Sequence, residues 1–108
     1  MEKLVDMQLK TDKVLVDATL RTALMQQLAQ WTVDDSDTDL RLVRQFSFKD
    51  FAGALAFANR VAQLAEENNH HPALLVEWGK VKVSWWTHSL GGLHINDFIM
   101  AARTEKYV

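Results

Sequence analysis

The segment from Ser47 to Pro72 constrains this chain more than any other. Phe51, Ala54, Leu55, Ala58, Val61, Ala62 and Ala65 recur at three- and four-residue steps, which places them on one stripe of an amphipathic α-helix. Ser47 with Asp50 three residues on gives the pattern of a capping box at its start. Pro72, the only proline, sets the far end. It pushes the preceding residue out of the α region, while Asn68 and Asn69 tolerate the left-handed conformation at a helix C-terminus. A helix so bounded needs an apolar surface to cover, and it leaves His70 and His71 side by side just past its end.

Strand patterns on both sides supply that surface. In "DLRLVRQFSF" the residues Leu40, Leu42, Phe46 and Phe48 alternate, interrupted by Arg44, as in a half-buried strand. After Pro72, "ALLVEW" and "KVKVSWWTH" flank Gly79 as a β-hairpin, with Val81, Val83 and Trp85 on one face and Lys82, Ser84, Trp86 and His88 on the other. Trp31 opens a polar stretch, "TVDDSDTD", that reads as a turn between two short strands. Asp17 is a candidate N-cap for "ATLRTALMQQLAQ", in which Leu20, Leu24 and Leu28 recur every four residues, ending near Gln30. "SLGGL" is a turn, and "HINDFIMAARTEKYV" closes the chain as a helix with Ile95, Phe98, Ile99 and Ala102 inward. Residues 1–16 show no period and are left unassigned. The order of helix, two strands, helix, two strands, helix predicts one α+β domain over 1–108. It is a two-layer sandwich in which a four-stranded antiparallel sheet carries three helices on one face.

Composition narrows the function. Twelve Lys and Arg against fourteen Asp and Glu give a net charge of −2, which argues against a protein that tracks nucleic-acid backbones by charge. The absence of cysteine removes disulfides and thiolate chemistry, and no apolar run fits a signal peptide or membrane span, so a cytoplasmic protein without a membrane role is expected. The histidines remain. His70, His71 and His88, with Glu66, are weighed as zinc ligands, but adjacent residues rarely converge on one ion and no HExxH spacing exists, so no metal is expected. Proton transfer suits them better, because a free imidazole with a pKa of about 6.5 both gives and takes a proton near neutrality. Glu66, four residues before His70, is placed to orient an imidazole. Counting His94 as the N-cap of the last helix puts Asp97 at its third position, where the carboxylate accepts from the N–H of residue 94. His94 itself is a weak capping residue, so serine there is expected to raise stability.

Glu66, then His70-His71-Pro72, Trp78, His88 and Asp97, at these spacings, resemble the signature of the pterin-4a-carbinolamine dehydratases. "RQFSFKDFAGALAFANRVAQLAEENNHHP" and "THSLGGLHINDFIMAA" are similar to the family throughout, from about residue 17 onward. The resemblance implies a hydro-lyase that removes water from 4a-hydroxytetrahydropterin and so supports recycling of the pterin cofactor of aromatic amino-acid hydroxylases. It implies His70, His71 and His88 as the catalytic set, Glu66 and Asn69 in supporting or substrate-binding places, and a pterin as substrate with no separate cofactor. Trp86, on the face of His88, is read from the strand pattern either as flanking the flat pterin ring or as filling a subunit contact or covering the sheet. It also implies a homodimer or homotetramer, with a hydroxylase or a regulatory protein as further partners. The alternative within the same fold is a non-catalytic dimerisation, assembly or transcription-coactivator protein. Two departures stand out: Asn69 lies where some members carry a carboxylate, and His94 where the family commonly has Ser or Thr.

Overall fold

Strand pairing explains how so short a chain closes a core. The structure, a computed structural model, describes residues 1–108. Its elements run α1 (Ala18–Met25), β1 (Thr32–Asp34), β2 (Arg41–Ser47), α2 (Phe51–Asn68), β3 (Ala73–Glu77), β4 (Lys80–Trp85) and α3 (Ile95–Thr104), with 3-10 turns at Leu4–Asp6, His88–Leu90 and Glu105–Tyr107. The four strands form one antiparallel sheet in the order β1-β2-β4-β3. Leu42 faces Trp85 and Phe46 faces Val81 across the β2–β4 ladder. These four and Val83 are buried in a cluster with Leu24, Leu28, Phe57, Val61, Phe98 and Ile99 from the helical layer. That face is the α+β sandwich expected from the pattern. On the other face Leu75 stays 53% exposed. No helix is long and apolar enough to cross a membrane.

Arg44 sits on the core face yet costs no unpaired charge. Its guanidinium lies 4.3 Å over the Phe46 ring and reaches Glu105 at 2.8 Å, and the same Glu105 oxygen accepts from the Trp31 indole N–H at 3.1 Å. The interruption in the β2 pattern is thus a partly buried ion pair closed by the end of the chain.

Several expectations shift in detail. Asp50, not Ser47, caps α2: its carboxylate accepts from Gly53 N at 2.7 Å, and Ser47 is the last residue of β2. The buried stripe of α2 is Ala54, Phe57, Ala58, Val61, Leu64 and Ala65, so Phe51 and Leu55 face outward while Phe57 and Leu64 point in. The helix presents Phe57 inward because its ring packs on Phe46 and Phe48, at centroid distances of 4.7 and 5.2 Å. Asp17 caps α1 as expected, accepting from Leu20 N at 2.8 Å, but the helix ends at Met25, and Leu28 reaches the core from the turns that follow. β1 takes the first three residues of "TVDDSDTD", and Asp34 pairs with Arg41. β4 ends at Trp85, so Trp86 and His88 lie beyond the strand, with His88 opening a 3-10 turn.

Residues 1–16, without a period of their own, form a strap held by distant partners. Leu4 is fully buried and its N–H donates to Gln27 Oε1 at 2.8 Å. Arg103 reaches the Met7 carbonyl at 2.7 Å, and the Val16 N–H donates to Leu93 O at 2.8 Å beside a Leu15–His94 bridge.

Candidate active site

The end of α2 decides where the two adjacent histidines point. Asn69 adopts φ 48°, ψ 43°, the left-handed conformation its type tolerates. His70 N–H then donates back to Ala65 O at 3.2 Å and Asn69 N–H to Glu66 O at 3.4 Å, the paired bonds of a Schellman motif. Reversal of the chain at this point sends the two rings apart. His70 turns into the protein, 5.8 Å from Trp85 with the rings 21° from parallel. His71 turns back over the helix surface, where its Nε2 meets Glu66 Oε2 at 2.5 Å with both side chains mostly exposed. Glu66 therefore partners His71 and not His70.

His70 ends on a buried carboxylate. Its Nε2 lies 2.6 Å from Asp97 Oδ1, and Asp97 has no exposed surface. The other oxygen, Oδ2, accepts from the Thr87 hydroxyl at 2.8 Å and from the His94 backbone N–H at 2.9 Å. Three donors on one buried carboxylate satisfy a charge that would otherwise be costly so far from water. They also fix the imidazole. With Oδ1 accepting, Nε2 carries a hydrogen toward it, and Nδ1 has no partner in the chain. The capping position expected for Asp97 is present, and the same side chain holds a site histidine as well.

His70 opens on a cleft of about 320 Å³. Its walls come from residues 10–13 of the strap, from Thr87, Ser89 and Leu90, and from His94 and Asn96 on the first turn of α3. The lining is polar but for Leu90. A larger hollow of about 550 Å³ between Met1, Gln27 and Glu105 holds no imidazole. Of the expected site residues, only His70 lines the cleft. His88 is exposed between the lining residues Thr87 and Ser89, on a loop closed by the Thr87–Gly92 bridge and turned at Gly91 with φ 68°. Asn69 serves as the helix terminator, and Trp86 lies under the Arg41 guanidinium at 3.8 Å with its indole N–H buried and without a partner. No three His, Asp or Glu side chains gather as a metal-binding group. Asp97 and Thr87 are the residues that sequence reasoning left out of the site. Asp97's spacing of three from His94 pointed to a cap, and nothing local marks its 27-residue reach to His70.

His94 is better used than its type suggests. Asn96 N–H donates to its Nδ1 at 3.1 Å, so Nε2 carries the hydrogen and donates to the Asp12 carbonyl at 2.8 Å and carboxylate at 3.1 Å. One buried ring caps α3 and moors the strap, which reverses the expectation that serine would be the stronger residue here. His94→Ser is expected to lower the thermal midpoint by about 5–10 °C in a calorimetric scan, the equivalent of one to two kcal/mol in a chain of this size. Asp12 belongs to the same latch. The Val14 N–H first, and then His94, hold its carboxyl below the ordinary carboxylate range. A depressed folded-state value means that this contribution is present above the ordinary range and is lost only as pH falls through the lowered one.

Comparison with known proteins agrees with the signature. Residues 13–107 match the family model described as pterin 4 alpha carbinolamine dehydratase. A relative from Chlorobaculum tepidum is 65% identical over 85 residues, spanning 78% of this chain and 76% of its own. One from Marinobacter nauticus is 53% identical over 92 residues, spanning 85% and 82%. Both are provisionally named pterin-4-alpha-carbinolamine dehydratases. Among solved structures, a transcriptional coactivator/pterin dehydratase from Brucella melitensis superposes with a TM-score of 0.78 at 28% identity, over 87% of this chain and 98% of that one. A pterin dehydratase-like protein identified as a RuBisCO assembly factor of the α-carboxysome shares the fold, with a TM-score of 0.60 at 23% identity over 72% and 88%.

Proposed function

The chain belongs to the pterin 4 alpha carbinolamine dehydratase family, and on that premise we propose that it removes water from a 4a-hydroxytetrahydropterin by histidine acid–base catalysis. The observation that carries this reading is the Thr87–Asp97–His70 chain, built on a buried carboxylate and ending on a polar cleft. Loss of water requires that the ring nitrogen beside C4a gives up its proton and that the C4a–O bond breaks with a proton delivered to the leaving hydroxide. His70, held as the Nε2–H form, offers Nδ1 as the base. His88, exposed between the lining residues Thr87 and Ser89 and its ring without a hydrogen-bond partner, is assigned as the acid, since both ring nitrogens of His94 are already engaged. His71, steadied by Glu66 on the helix surface, and Asn69 are assigned to holding the pterin; Trp86, covered by Arg41, is assigned to supporting the loop that carries His88. The product would re-enter pterin recycling for a hydroxylase, in a cytoplasmic setting.

The test is a dehydration assay on chemically generated 4a-hydroxytetrahydropterin. The expected result is a rate enhancement that exhaustive chelation leaves unchanged. A chelator-sensitive rate overturns the acid–base reading in favour of a metal, and no enhancement at all leaves the assembly or coactivator class. Self-association is part of the proposal: Leu75 on the uncovered sheet face and Trp78, 73% exposed at the hairpin turn, are large apolar groups without cover. Sedimentation at micromolar concentration is expected to show a dimer or tetramer.

A further inference from the structure

Beside the reacting histidine the strap is held by its backbone and by Asp12, and the side chains of Lys10, Thr11 and Lys13 are left free. Lys10 N–H donates to Asn96 Oδ1 at 2.7 Å, Asn96 Nδ2 returns a bond to Lys10 O at 2.9 Å, and the Asp12 carbonyl takes the His94 Nε2–H. The Asp12 carboxylate is engaged by Val14 N–H and His94. The side chains of Lys10, Thr11 and Lys13 have no such partner; the only lysine ion pair in the chain is Lys80–Glu77. Yet all of residues 10–13 line the cleft on which His70 opens. Residues 10–12 precede the stretch 13–107 that the family model matches, and of the four wall residues Lys13 alone falls within it. The first turn of α3 ties wall and chemistry together, since Asn96 and His94 hold the strap while Asp97 holds His70.

From this we propose, resting on the reading of the cleft as a pterin site, that residues 10–13 form a specificity wall. The donors of Lys10, Thr11 and Lys13 hold an oxygen-bearing substituent of the pterin, away from the ring carbon that reacts at His70. Asp12 stands between the two lysines on this wall, so residues 10–13 carry a single net positive charge. Hydrogen-bond donors, rather than a bulk positive field, therefore supply the selectivity, and hydroxyl and phosphate oxygens both qualify as acceptors.

Binding of three stable pterins, 6-methylpterin, neopterin and neopterin phosphate, is to be followed by quenching of tryptophan emission. The full chain is compared with the triple variant Lys10→Ala/Thr11→Val/Lys13→Ala, whose thermal midpoint is checked alongside. The native chain is expected to bind the two oxygen-bearing pterins about tenfold more tightly than 6-methylpterin, the size of one or two net hydrogen bonds. In the triple variant the three affinities should converge to within about twofold. A gain confined to the phosphate ester also supports the wall, with the lysines as its holders. Equal affinities in the native chain, or a preference that survives in a folded triple variant, overturn the proposal. Failure of all three pterins to bind overturns instead the pterin reading on which it rests.

Discussion

His70→Ala is expected to lower dehydration turnover by about 10²–10⁴-fold, the usual contribution of one proton-transferring side chain. The residue is singled out by its surroundings. Trp85 lies against one face of the ring and Asp97 takes its Nε2–H, so the ring's angle and its protonated nitrogen are both set before substrate arrives. Such an arrangement has little to reorganise during proton transfer. Alanine also leaves Asp97 with one donor fewer in a buried place, so lost turnover alone does not separate chemistry from stability. His70→Gln makes that separation, because an amide N–H can still donate to Asp97 while no basic nitrogen remains. Its turnover should fall as far as that of His70→Ala with a thermal midpoint nearer the native one. Steady-state assays of both variants beside their melting curves check this, and near-native turnover in His70→Gln would remove His70 from the chemistry. His88→Ala is expected to fall in the same range of turnover, with a native midpoint because its side chain is exposed and unbonded.

The contrast between His70 and His71 shows what local pattern carries and what it does not. Helix α2, its stop before Pro72 and the inward Val81–Val83–Trp85 face are written in spacings of two to four residues, and the structure has them as expected. So is the left-handed Asn69 that divides the two rings. Which ring turns inward is settled by Asp97, 27 residues away, and by Trp85 beneath it. The strap shows the same limit more sharply. Lys10 and Asn96 exchange two hydrogen bonds across 86 residues, and His94 reaches Asp12 across 82. Backbone moorings of this kind leave no periodicity, since any residue can offer its N–H and carbonyl. The α2 stripe holds at Ala54, Ala58, Val61 and Ala65 and departs from its spacing at Phe51, Leu55 and Ala62 for a related reason. Phe51 and Leu55 suit the same helical spacing as Phe57 and Leu64, and only the position of Phe46 on β2 and of Phe48 just past its end chooses between them. Arg44 looked like a break in β2 because its ion partner, Glu105, lies at the other end of the chain.

Asp97→Asn is expected to damage stability and turnover together. In the native chain one oxygen caps α3 and meets Thr87, and the other meets His70. An amide keeps only one acceptor oxygen. If that oxygen stays with Thr87 and His94, the NH2 group faces His70 Nε2–H, two donors meet, and the ring must flip or change tautomer. If the oxygen turns to His70, the NH2 group confronts the Thr87 hydroxyl and the His94 N–H at the helix start. Neither orientation satisfies every donor while His70 keeps its native tautomer, and an unsatisfied buried group costs about 1–3 kcal/mol. At roughly 4–8 °C per kcal/mol for a chain near this length, the midpoint should fall by about 5–20 °C. The first orientation also exchanges the basic and protonated nitrogens of His70, so turnover should fall by about 10²-fold or more. Thr87→Val provides the calibration: it removes one donor from Oδ2 but leaves Oδ1 facing His70, so its midpoint should drop with a much smaller loss of turnover. The two observables, melting midpoint and kcat, therefore decide the role of Asp97. A lowered midpoint with native kcat in Asp97→Asn would reduce the residue to a helix cap. A native midpoint with lost kcat would show that the cap contributes nothing measurable to the fold.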